Sequence, residues 1–151
     1  MHYLSAVDGS DESDRAVEYA TSHVLAFDAR LTLVHVLAPE TRTVDASGMF
    51  ENETERRQGG WEHLERAESV ARDLAKTQGE DIEIETQLLI GRPAHAIVDF
   101  ATDADVDAIY LGHRGASGDG DDRMGSVAKG VLDRASVPVT VVRRGALLPV
   151  E

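Results

Sequence analysis

With 151 residues, 42% of them hydrophobic, the chain is long enough to bury one core and too apolar to be disordered. Its 28 acidic against 15 basic residues leave a formal net charge of −13, which repels nucleic-acid phosphates and anionic membranes. The absence of cysteine excludes disulfides, thiolate chemistry and cysteine-built zinc sites.

Short apolar runs alternate with helical patterns along the chain. Met1-His2-Tyr3-Leu4 leads straight into a buried strand over 3–7, without the basic start and long apolar run of a signal peptide. No stretch approaches about 18 apolar residues, so a cytoplasmic protein without a membrane span is expected. Asp8-Gly9-Ser10-Asp11 reads as a turn that supplies N-cap residues. The helix after it carries Ala16, Val17, Ala20, Val24 and Leu25 on one face. A second strand covers 31–37. From Pro39 to Gly60 the sequence is polar, a loop of unusual length that reads as a lid or as an excursion with some helix. A second helix is predicted after Gly59-Gly60, with Trp61, Leu64, Ala67, Ala71 and Leu74 inward and Glu and Arg outward. A strand over 82–90 leads to the tight turn Gly91-Arg92-Pro93. Its proline is placed to begin a third helix, with Ala94, Ile97, Val98 and Ala101 on the apolar face. A fourth strand over 106–111, a Gly- and Asp-rich loop over 112–124, a last helix over 126–135 and a last strand over 137–142 complete the chain.

This alternation predicts one α/β domain over 1–151, with an open parallel sheet, right-handed crossovers and helices on both faces. Ligands of such sheets sit beyond the carboxyl ends of the strands, where strand order reverses. That points to the turns after the first and fourth strands. The stretch from Gly112 to Ser126 reads as a phosphate cradle. Glycine lets the backbone approach an anion and permits positive φ. Successive amides in such a turn point at the anion, and a helix beginning at Gly125-Ser126 offers free N–H groups and a positive dipole end. The Ser126 hydroxyl can donate to a phosphate oxygen or meet a bound Mg²⁺. Neither a GxGxxG pattern nor the lysine of a Walker loop is present.

Gly112-x2-Gly115-x9-Gly125-Ser126 resembles the ATP-binding signature of the universal stress protein family. Four further segments resemble the same family in order: Ala6-Val7-Asp8-Gly9-Ser10, Val34-His35-Val36, Gly91-Arg92-Pro93, and Ala135-Ser136-Val137-Pro138-Val139-Thr140-Val141-Val142. The resemblance covers nearly the whole chain. It implies a Rossmann-like (adenine nucleotide alpha hydrolase-like) sheet of five strands in the order 3-2-1-4-5, usually dimeric, that binds ATP, with ADP and AMP as alternatives. It also implies that Asp8 contacts the nucleoside and that the Val36 backbone meets adenine. Gly112, Gly115, Gly125 and Ser126 would hold ribose and phosphates, with Ala6, Arg114 and Val127 at the margin of the site.

One departure from the family concerns the nine residues between Gly115 and Gly125, often basic or apolar there. Here they include Asp119, Asp121 and Asp122, which repel a triphosphate unless they face solvent or help hold Mg²⁺. Arg114 and Arg123 can offset the repulsion. Asp8 can equally serve an N-cap or Asx turn. The six histidines form no site by spacing. His35 is expected to pack in the sheet, and His113 to sit in a solvated turn or approach a phosphate. Ser10 and Ser117 lack a placeable histidine and acid, so no triad is expected. The last strand would end the sheet as an apolar edge, which either pairing into a homodimer or the tail 143–151 would cover. Abundant Asp, with only Lys76 and Lys129 as lysines, suits a halophilic cytoplasm as well as an ordinary acidic protein. The expected function is an ATP-binding, nucleotide-responsive stress regulator rather than an enzyme. A slow ATPase or phosphotransferase, and a nucleotide-free structural dimer, are the alternatives.

Overall fold

The computed structural model describes residues 1–39, 53–114, 123–143 and 145. Five strands and four helices alternate: β1 (His2–Ala6), α1 (Asp11–Phe27), β2 (Arg30–Leu37), α2 (Glu53–Thr77), β3 (Ile84–Ile90), α3 (Pro93–Asp103), β4 (Ala108–Gly112), α4 (Ser126–Arg134) and β5 (Val139–Val142). The strands form one all-parallel sheet, as the alternation predicts, in the order β3-β2-β1-β4-β5 that the family resemblance implies.

Strand periodicity divides the core in two. Tyr3, Leu33 and Tyr110 point to the face covered by α1 and α2, where they meet Val17, Ala20 and Leu64. Leu4, Val34, Ile109 and Leu111 point to the opposite face, against Ile97, Ala101, Ala128 and Val131. β1 is buried along nearly its whole length because it lies at the centre of the sheet.

The turn into α1 is held by side chains. The Ser10 amide donates to Asp8 Oδ1 at 2.9 Å, an Asx turn. Ser10 then caps α1 by accepting from the Ser13 amide at 3.1 Å, and the Asp8 amide donates to Ser13 Oγ at 3.2 Å. Gly9 has φ +84, and a methyl group added there would lie 2.4 Å from His63 Cε1. Asp11, Glu12 and Asp14 complement the positive end of the helix.

The second helix differs from its expected bounds. It begins at Glu53 and runs through Gly59 and Gly60, eight residues before its expected start; residues 40–52 lie outside the described residues. An i,i+4 ion pair between Glu53 and Arg57 supports the first turn, and the Arg56 guanidinium donates to Ala38 O beyond β2. The buried positions are Gly60, Leu64, Ala67, Ala71 and Ala75. Gly60 therefore takes the core slot assigned to Trp61, and Trp61 is 42% exposed.

Candidate functional site

The chain reverses its direction across the sheet between β1 and β4, and a cleft of about 490 Å³ opens beyond their carboxyl ends. That volume lies in the range of small-molecule sites, roughly 300–1,000 Å³. Its walls come from segments distant in sequence. Ala6 ends β1 and Val7 and Asp8 follow it, Val34, His35 and Val36 lie on β2, and the residues after Leu111 join the first turns of α4. Every described residue that the resemblance implies for nucleotide binding lines this cleft: Asp8, Val36, Gly112, Gly125 and Ser126, with Ala6, Arg114 and Val127. Gly115, Ser117, Asp119, Asp121 and Asp122 lie outside the described residues.

The amino end of α4 opens into the cleft. Its N-cap, Gly125, offers no side-chain cap, and its φ of −67 is one any residue adopts. The first-turn amides therefore carry no capping side chain, which is the arrangement that accepts an anion. Lys129 and Arg123 also line the cleft and place positive charge near that helix end in a chain of net charge −13. Gly112 packs closely on the first turn of α1. A methyl group there would lie 3.0 Å from Glu12 Cβ and 3.1 Å from the Ser13 amide nitrogen.

The root of the loop is fastened at both ends. The His113 amide donates to Val142 O, and the Gly125 amide donates to His113 O, both at 2.8 Å. His113 is buried, so the solvated-turn reading is corrected: its amide extends the ladder between β4 and β5. The Arg114 amide donates to Glu12 Oε2 at 2.7 Å.

Two histidines meet at the opposite wall. The His35 Nδ1–H donates to Val7 O at 2.6 Å, and the His35 and His63 rings lie 5.2 Å apart between centroids. Burial is the main cause holding the His35 pKa below the ordinary histidine value. A positive charge on His63 acts the same way, while the Val7 hydrogen bond and the Asp8 charge oppose it. His35 thus does more than pack in the sheet: it lines the cleft and holds the turn that carries Asp8. Sequence spacing misses this pairing, because the two histidines lie on different elements. Among the described residues no group of three or more His, Asp or Glu is arranged to hold a metal ion.

Residues 1–143 match the model of the universal stress protein family. The chain is 36% identical over 140 residues to a universal stress protein of Thermus aquaticus, covering 93% of this chain and 96% of that one. It is similar to a universal stress protein from Archaeoglobus fulgidus solved in complex with dAMP, with 27% identity, a TM-score of 0.69 and 94% and 97% of the two chains covered. A universal stress protein solved in complex with cAMP matches at 25% identity and TM-score 0.69, over 95% of this chain and 96% of that one. The chain belongs to the universal stress protein family.

Proposed function

We propose that this chain is a nucleotide-responsive regulator that binds ATP in the cleft between β1 and β4, in the cytoplasm and as a homodimer. The observation that carries the reading is the amino end of α4, free of a side-chain cap, opening into a cleft of nucleotide size beside the root of the glycine loop. The dAMP and cAMP complexes of similar proteins support an adenine nucleotide as the ligand. In this reading adenine lies against the backbone at Val36, and Asp8 faces the nucleoside. Gly112, Gly115, Gly125 and Ser126 hold ribose and phosphates, with Ala6, Arg114 and Val127 at the rim. Mg²⁺ would enter with the triphosphate and take most of its ligands from phosphate oxygens and water.

Among the described residues no helix is long and apolar enough to cross a membrane. β5 is a sheet edge, with β4 on one side and no strand among the described residues on the other, and the homodimer is assigned to it.

A thermal-shift titration with adenosine, AMP, ADP and ATP, with and without Mg²⁺, tests the reading. Ligand at 100 times its dissociation constant adds about 2.7 kcal/mol, a rise in Tm of roughly 5–10 °C for a chain of this size. Absence of a shift with every nucleotide, at both low and high salt, overturns it.

A further inference from the structure

We infer that Glu12 is a positioning residue for the phosphate-binding loop, and this assignment rests on the nucleotide reading above. Glu12 is only 7% exposed, and a carboxylate is seldom so buried without a partner. Its partner is the Arg114 amide, which donates to Oε2 at 2.7 Å across 102 residues of sequence.

Three features make this contact directive rather than incidental. First, the loop root is pressed on the first turn of α1. A methyl group at Gly112 would come within 3.1 Å of both Glu12 C and Ser13 N, so the end of β4 lies in close contact with the first turn of α1. Second, the two backbone attachments of the root, His113 to Val142 and Gly125 to His113, hold His113 and Gly125. One residue after His113, at Arg114, the backbone amide is held by the Glu12 side chain. Third, Glu12 lies in the first turn of α1, which the Ser10 cap and the Asp8–Ser13 hydrogen bond fasten to the turn after β1. The carboxylate therefore holds the loop root at Arg114, a residue that lines the cleft.

The test measures dissociation constants of adenosine and AMP by calorimetry for the wild-type chain, Glu12→Gln, Glu12→Asp and Glu12→Ala. Glutamine keeps an acceptor oxygen at the same reach, whereas aspartate keeps the charge and falls one methylene short. Loss of a hydrogen bond to a charged acceptor at the loop root weakens AMP about tenfold or more. That loss is expected for Glu12→Ala and Glu12→Asp, with adenosine affinity unchanged and Glu12→Gln within about threefold of wild type. Should Glu12→Ala fail to fold, the contrast between Glu12→Gln and Glu12→Asp decides the same question. Equal losses for adenosine and AMP, or wild-type AMP binding in both Glu12→Ala and Glu12→Asp, overturn the assignment of Glu12 alone. Wild-type protein that binds neither ligand, nor ATP, overturns the nucleotide reading and this assignment with it.

Discussion

His35 couples the cleft to pH through one hydrogen bond. Its Nδ1–H donates to Val7 O at the base of the turn that presents Asp8, and His63 covers Gly9 in the same turn. Burial holds the folded pKa of His35 below its ordinary value. The unfolded chain therefore takes up the proton first as pH falls. The contribution of His35 to stability is complete above the ordinary histidine value of about 6.5 and is lost as pH drops from there toward the folded value. His2 is lowered for the same main reason, and the carboxylates also titrate, so wild type alone cannot isolate His35. The measurement is urea unfolding of wild type and His35→Asn at pH 8 and pH 5.5. Wild type should lose more stability than the variant between the two conditions. An equal change in both proteins refutes the coupling.

At the scale of elements, adjacent glycines in α2 should behave oppositely. Gly59 has nothing within 4 Å of an added methyl group among the described residues, so Gly59→Ala should stabilise by up to about 1 kcal/mol through helix propensity. A methyl group at Gly60 would lie 2.8 Å from Leu88 Cδ1 and 2.9 Å from His35 Cδ2. Leu88 can yield, but His35 is tethered to Val7 O. Overpacking of this kind costs roughly 1–3 kcal/mol, which outweighs the propensity gain. Gly60→Ala should therefore be net destabilising by about 1 kcal/mol in urea unfolding; two stabilised variants would contradict the packing argument. The same pair marks the boundary of what the sequence makes legible. Two glycines read as a break, and only their tertiary neighbours reveal that the second is a contact point between α2 and the sheet. Strand alternation, by contrast, is carried by short apolar runs, so the element order and the two cleft-forming turns could be read directly. Glu12 and His63 could not, because their partners are the Arg114 amide, 102 residues away, and a turn on another element.

The whole molecule adds charge to the question of assembly. Ile109 N donates to Pro138 O and His113 N to Val142 O, so backbone groups alternate along β5. Those of Pro138, Thr140 and Val142 face β4, while those of Val139 and Val141 face away from it. An isologous dimer through this edge would use the outward set. It would also bring together two chains of net charge −13 each. The screening length is about 10 Å at 0.1 M salt and about 3 Å at 1 M, so self-repulsion should oppose the dimer in dilute buffer and largely vanish in concentrated salt. Sedimentation velocity at 0.1 M and 1 M KCl should accordingly find a larger dimer fraction at the higher salt. Val141→Pro removes an outward N–H while leaving the groups that face β4 intact. It should weaken the dimer about tenfold or more at either salt, with far-UV circular dichroism unchanged. A dimer indifferent to Val141→Pro would assign assembly to another surface, and a dimer fraction that falls with salt would show that ion pairs hold it together.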